Sequence, residues 1–504
     1  MAKPQLAGGR QGPAELGPLL ETTRAALAEG AATRGGPLPS GGPAAVAARL
    51  ARTGPPLPRT GTGAEEALRT LVRAVAEGAA DPAEPGCVAH LHCPPLAMAA
   101  AADFAASVLN PSMDSWDQAP AATALEARVT AALAALVYPG HDAPDALVTT
   151  GGTESNQLAL LLARERAARA GRRPVQVVCG SNAHHSVARA TWLLGLPRPV
   201  VLATPGGVLD PAAVESVLRG LAPHVLLVAT AGTTDTGAID ALPALAAAAA
   251  RHDAELHVDA AYGGPLLFSD REAAKLAGLD QAVSVTVDLH KLGWQPVAAG
   301  LLVVPDAAAL HPLDHRADYL NAADDTEAGL PDLLGRSLRT SRRPDVLKIA
   351  VTLRALGREG MGQLVDAVCA SARELAERIE RHPDLTLYAH PAISTVLFRP
   401  RGATDEAIAA LRRRLLYDGR AVLGRAHVGG RLWLKATLLN PYLTAADLDA
   451  LVALAAEPPE PAAPPEPTAP TEPAAPAESA EPPAPEARLP HPTPPLTTEG
   501  TTPR

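Results

Sequence analysis

The stretch SVTVDLHKLGWQP, Ser284–Pro296, decides the fold. Together with Val283 its first half is a short β-branched run that reads as a buried strand. That strand delivers Asp288, His290 and Lys291 to a turn just ahead of Gly293 and Trp294. Lysine is rarely buried without a partner, and a desolvated amine is the form that attacks a carbonyl carbon. On these residues alone, a lysine that merely reaches out of a loop is an equal reading.

Strands and helices alternate on both sides of that stretch. Strands are expected at Ala146–Thr149, Val175–Cys179, Val200–Ala203, Val225–Ala229, Leu256–Val258, Val283–Val287 and Leu301–Val304. Helices are expected at Ala121–Leu136 and Ser155–Ala170, with Ala/Leu-rich helical stretches between the later strands. Several strands are continuous apolar runs, as strands covered on both faces of a mainly parallel sheet should be. The fold class is α/β, with a three-layer large domain over 120–343. Two helical patterns, Pro344–Leu356 and Met361–Arg381, precede apolar segments at Leu385–Tyr388, Thr395–Phe398 and Leu432–Ala436, which predicts a smaller α+β domain over 344–456. Residues 65–119 open on a helix, Glu65–Glu77, and form an arm. Residues 1–64 read as a flexible Gly/Pro-rich region with a short Ala-rich helix expected within Gly35–Thr62, and 457–504, with 17 prolines after Glu457, as a disordered tail.

The 504 residues carry a formal charge of −10, and eight Glu and two Arg from Glu457 onward leave −4 for the rest. Such mild acidity gives no electrostatic footprint for nucleic acid, and the basic run Arg412–Arg414 reads as the solvated face of a helix. Cys87, Cys93, Cys179 and Cys369 are too few and too scattered for a disulfide framework, which fits a reducing cytoplasm. The N-terminus lacks an apolar signal core and no uncharged apolar run reaches about 18 residues, so neither export nor a membrane partner is expected.

Four further clusters follow expected strands. Thr149–Asn156 (TTGGTESN) opens a helix, where glycines admit a close backbone approach and free N–H groups suit a phosphate; a capped glycine turn would look the same. His257–Gly264 (HVDAAYGG) offers Asp259 among small residues, able to pair with a protonated ring nitrogen or to cap the next turn. Ser181–Ser186 supplies His184 and His185, and Gly232–Gly237 a hydroxyl-rich turn. All four, with Lys291, sit beyond strand C-termini, where open α/β sheets bind ligands.

In order and spacing, GGTESN, the histidine of SNAHHSVARA, GTTDTGAID, HVDAAYGG and VDLHK resemble the pyridoxal-phosphate-dependent amino acid decarboxylases of the aromatic-amino-acid and glutamate (group II) decarboxylase group, over roughly 65–456. The resemblance implies a fold-type I enzyme, pyridoxal 5′-phosphate as cofactor, and a homodimer with a shared active site. It assigns Lys291 to carrying the cofactor, Asp259 to its pyridine nitrogen and His184 to stacking on its ring. Gly152, Thr153 and Glu154 would contact the phosphate with His290 nearby, and Thr234 and Ala261 would lie close to the cofactor. His185 does not match the stacking position. Tyr319 matches the mobile-loop tyrosine that returns a proton to the substrate carbon, and Asn321–Gly329 reads as a flexible lid.

Cys87, His90, His92 and Cys93 in GCVAHLHCPP invite a zinc reading, but structural zinc sites pair knuckles on separate elements, so no metal is expected. This segment and SMDSWDQAPAAT, Ser112–Thr123, resemble the bacterial branch acting on diamino acids such as L-2,4-diaminobutyrate or lysine, with His90 and His92 bordering the substrate. A side-chain ammonium wants a carboxylate; Asp114 and Asp117 are the candidates, offered across the dimer interface or else only capping a turn. The alternatives are an aromatic-L-amino-acid decarboxylase and a catalytically silent homologue that binds partners through its Pro-rich tail. The intact Lys, Asp, His and Tyr set speaks against silence.

Overall fold

The computed structural model describes residues 5–172, 174–221, 224–314, 320 and 322–457. Seven strands, β1 (Asp145–Thr149), β2 (Gln176–Gly180), β3 (Val200–Leu202), β4 (Val225–Thr230), β5 (Glu255–Ala260), β6 (Ser284–Asp288) and β7 (Gly300–Val304), form one sheet in the order β1-β7-β6-β5-β4-β2-β3. All neighbours pair in parallel except β7, which runs antiparallel to both β1 and β6. The C-terminal ends of β1, β2, β4, β5 and β6 therefore share one edge.

The apolar runs are explained by layers on both faces. Val148, Leu227, Val258, Val285, Val287 and Val303 pack in one cluster with Leu133 and Val137 of helix Pro120–Val137. Alternate residues, Leu147, Leu302 and Val304, pack against Leu158 and Leu162 of helix Gly152–Arg169. Helix Pro120–Val137 alone among the described helices is long and apolar enough to cross a membrane. It carries buried Glu126, whose oxygens accept from Arg342 at 2.6 and 2.7 Å.

A second sheet, β8 (Leu385–Leu387), β9 (Thr395–Pro400), β10 (Gly424–Val428) and β11 (Arg431–Thr437), is antiparallel in the order β10-β11-β9-β8. Helices Val346–Arg381, Asp405–Tyr417 and Ala445–Ala455 cover it. The first of these is two helices in effect, because Gly357 leaves helical geometry at φ 65° and ψ −177°. Strand β10 was not expected, since GRAHV carries two exposed polar side chains and little apolar content.

The Gly/Pro-rich reading of residues 1–64 needs correction. Gly12–Arg34 is a 23-residue helix, whereas Gly42–Ala51 is the short Ala-rich helix expected within Gly35–Thr62. The first packs on helix Ala64–Gly78 so closely that a Cβ on Gly30 would meet Ala76 Cβ at 2.6 Å. Gly30 serves there as a contact surface and Pro13 as a helix start, uses that composition does not separate from looseness. The stretch expected as a lid holds a short helix, Ala323–Glu327. Tyr319, and the tail from residue 458 on, lie outside the described residues.

Candidate active site

A cavity of about 270 Å³ opens at the shared strand edge. Thr150 to Thr153 line it after β1, His184 after β2, Thr234 after β4, Asp259 and Ala261 from β5, and Asp288, His290 and Lys291 from β6. Gly151 has to be glycine: its φ is 152°, and a Cβ there would meet His290 Cε1 at 2.8 Å. The backbone can thus pass directly over His290 into the helix N-terminus, where N–H groups suit an anion.

The buried carboxylate of Asp259 is held on two sides. Its Oδ1 accepts from Ala261 N at 3.1 Å and its Oδ2 from Asn156 Nδ2 at 2.7 Å. His184 Nδ1 lies 2.8 Å from Ser186 Oγ. Burial, with His185 and Lys291 close by, pushes the His184 imidazole down against the opposing pull of Asp259. Asp288 Oδ2 accepts from Gly152 N at 3.1 Å, while its Oδ1 accepts from His290 N and lies 2.8 Å from His290 Nδ1. Asp288 thereby ties the glycine turn after β1 to the lysine turn after β6.

Other parts of the chain close round this edge. Trp294, fully buried, donates from Nε1 to Leu439 O at 2.7 Å and accepts through its carbonyl from Leu96 N at 2.9 Å. Tyr262 OH reaches Ser394 and Thr395 at the start of β9, and Lys435 Nζ of β11 donates to Thr234 O at 2.9 Å. Burial pushes the Lys435 ammonium down.

The residues singled out in sequence divide into two groups. Lys291, Asp259, His184, Gly152, Thr153, Thr234, Ala261 and His290 line one cavity. Glu154 is absent from that lining. Its carboxylate folds back to accept from Thr150 N at 2.6 Å and Thr150 Oγ1 at 2.7 Å, with Arg339 3.4 Å away. From His90 to His92, only Leu91 lines the cavity. Burial lowers both imidazoles, helped by Lys435 and Arg412 at His90 and by His290 at His92. Asp114 accepts from Ser112 at 2.9 Å and Gln118 at 2.6 Å, and exposed Asp117 accepts from Ser115 at 2.6 Å; neither lines the cavity of its own chain. Cys93 Sγ donates to His290 O at 3.1 Å, and among the described residues no metal-ligand cluster forms.

Asn156, Ser186, His257, Thr286 and Asp288 received no role in the sequence reading, yet they hold the site together. One signal marked most of them. In two otherwise apolar strands, every second residue is polar: His257 and Asp259 in β5, Ser284, Thr286 and Asp288 in β6. Side chains at i and i+2 share a face, so these form one polar row, and the register pairs His257 with Ser284 and Asp259 with Thr286.

A model of the pyridoxal-dependent decarboxylase conserved domain matches residues 59–401. The chain belongs to that family. The L-2,4-diaminobutyrate decarboxylase of Rhizobium meliloti (strain 1021) is 41% identical over 396 residues, 76% of this chain and 79% of the relative. That of Acinetobacter baumannii is 33% identical over 425 residues, 78% and 83% of the two chains. A crystal structure from Vibrio parahaemolyticus matches with a TM-score of 0.79 and 32% identity over 90% of this chain and 96% of its own; it is described as the glutamate decarboxylase domain of diaminobutyrate-pyruvate transaminase and L-2,4-diaminobutyrate decarboxylase. The protein is a pyridoxal-phosphate-dependent amino acid decarboxylase of fold type I.

The residues of this decarboxylase fit that cofactor. A carboxylate with two donors faces the cavity, an imidazole lines it, a helix N-terminus after Gly151 suits a phosphate, and a lysine stands in the one-turn helix Leu289–Leu292 that follows β6. The decarboxylase site also has its own supports, Glu154 beneath the glycine turn and Asp288 beneath the lysine turn.

Proposed function

We propose that the protein decarboxylates L-2,4-diaminobutyrate, releasing carbon dioxide and 1,3-diaminopropane, with other basic diamino acids as weaker substrates. Bound pyridoxal phosphate supplies the electron sink for the pair left when the carboxylate departs. Lys291 holds the cofactor through its amine. Asp259 keeps the ring nitrogen protonated, since a carboxylate beside a cationic nitrogen favours its charged form. His184 stacks on the ring, Thr153 and the helix start bind the phosphate, and Thr234 and Ala261 bound the ring. Tyr319 returns the proton to the α-carbon. The convergence of Lys291, Asp259 and His184 on one cavity supports the chemistry, and the likeness to the Rhizobium meliloti enzyme supports the substrate.

The active form is a homodimer in the cytoplasm, each subunit lending residues to the other's cavity. In that assembly Asp114 and Asp117, and His90 with His92, border the substrate. Carbon dioxide release from diaminobutyrate, ornithine, lysine, tyrosine and tryptophan tests the reading. The expected result is the highest kcat/KM with diaminobutyrate; an aromatic preference would overturn the substrate, and no release from any of them would overturn decarboxylation.

A further inference from the structure

Asn156 is wholly buried in the first turns of helix Gly152–Arg169, and every polar atom of its side chain is committed. Nδ2 donates to Asp259 Oδ2 at 2.7 Å and to Ser186 Oγ at 2.9 Å. Oδ1 accepts from Thr286 Oγ1 at 2.8 Å and faces His257 Nε2 at 3.1 Å. Chemistry fixes the amide's orientation: the flipped form would put its oxygen 2.7 Å from a carboxylate oxygen, two acceptors with no proton between them.

That orientation sets the protons around it. Oδ1 can only accept, so His257 carries its hydrogen on Nε2; burial pushes its imidazole down to about 4, which keeps it neutral. Its Nδ1 lies 2.8 Å from Ser284 Oγ and 3.0 Å from Ser284 O. On the other branch Ser186 Oγ receives the amide N–H and passes its own hydrogen to His184 Nδ1 at 2.8 Å. Ser186 N also donates to that Nδ1 at 3.3 Å, so a neutral His184 presents Nε2–H. One amide group thus orients both Asp259 and His184, the carboxylate proposed for the ring nitrogen and the imidazole proposed for the ring face.

We propose that Asn156 is the positioning residue for the cofactor ring: its Nδ2 fork fixes the Asp259 carboxylate toward the ring nitrogen and, through Ser186, fixes the His184 imidazole over the ring. The proposal rests on the reading that Asp259 pairs with that nitrogen. The carboxylate is a charged acceptor in a buried setting, where a lost donor matters more than at the surface. A residue needed only for packing would affect any ring of the same shape alike, whereas this role acts on the nitrogen.

The full-length protein, stripped of cofactor, is titrated with pyridoxal phosphate and with its carbocyclic analogue, in which C–H replaces the ring nitrogen. Wild type is expected to prefer pyridoxal phosphate by roughly tenfold or more. Asn156→Asp, the same shape without the donor, and Asn156→Ser are expected to shrink that preference by about fivefold or more. Because both ligands are compared on one folded variant, a general loss of stability cancels. Ser186→Ala, which cuts only the His184 branch, should weaken both ligands and leave the preference intact. A preference unchanged in both Asn156 variants would overturn the proposal while leaving the Asp259 reading standing. A wild type that does not distinguish the ligands would overturn that reading, and the proposal with it.

Discussion

Two walls meet at the cavity and are built differently. The chemical wall comes from strand ends: β1, β2, β4, β5 and β6 each deliver a side chain to the same edge, and their positions are fixed by sheet register. The other wall is the Pro-flanked segment from Gly86 to Ala119, whose only regular pieces are helix Ala97–Leu109 and a short turn at Trp116–Gln118. From the first wall nearly every singled-out residue reaches the cavity; from the second only Leu91 does. Period-2 alternation says which way a strand residue points, and irregular chain has no comparable rule. A wall built on regular elements is therefore readable, and one built on irregular chain is not.

The largest expected effect lies on the chemical wall. Lys291→Ala should lower decarboxylation by at least about a thousandfold while leaving the fold intact, because the side chain is half-buried at a turn. Steady-state carbon dioxide release with a parallel thermal melt checks both halves.

Trp294 fastens one wall to the other through Leu96, and to the chain after β11 through Leu439. Trp294→Ala should cost about 3–5 kcal/mol by denaturant unfolding, since a fully buried indole and its hydrogen bond are lost together. Loss confined to substrate affinity, with stability unchanged, would show that the walls are joined elsewhere.

Acid should find the chemical wall's weak point. His257 has its imidazole depressed from 6.5 to about 4 in the folded state by burial. The unfolded chain therefore binds more protons between those values, and stability must fall as pH drops from about 6.5 toward about 4, by roughly 3 kcal/mol for this group. Above 6.5 the contribution is fully present. His257→Gln should flatten that acid limb in pH-dependent melts; an unaltered limb would assign it to carboxylates instead.

The smallest effect is expected on the irregular wall. Asp117 is exposed and touches Ser115, so Asp117→Asn should change stability by less than about 0.5 kcal/mol. Its kinetic reading is sharper: a lost preference for diaminobutyrate would put this carboxylate in a neighbouring subunit's cavity, and an unchanged preference would remove it from substrate recognition.

The sequence made the α/β order of the strands legible because continuous β-branched runs mark strands covered on both faces, and the site legible because five clusters fell at strand ends. For Glu154 the place in the glycine turn was evident, but not that its side chain would cap Thr150. Asn156 stood in view inside GGTESN, and its importance arises only when β5 and β6 bring His257, Asp259 and Thr286 beneath it. Helix Gly12–Arg34 was hidden because Gly30 serves contact and Pro13 initiation, while Pro18 lies inside the helix itself.

Borohydride reduction of the cofactor-loaded protein, followed by peptide mapping, tests the central claim most directly. The cofactor's mass should appear on the peptide carrying Lys291 and vanish in Lys291→Ala. Attachment at another lysine, such as Lys435 beside Thr234, or at none, would contradict it.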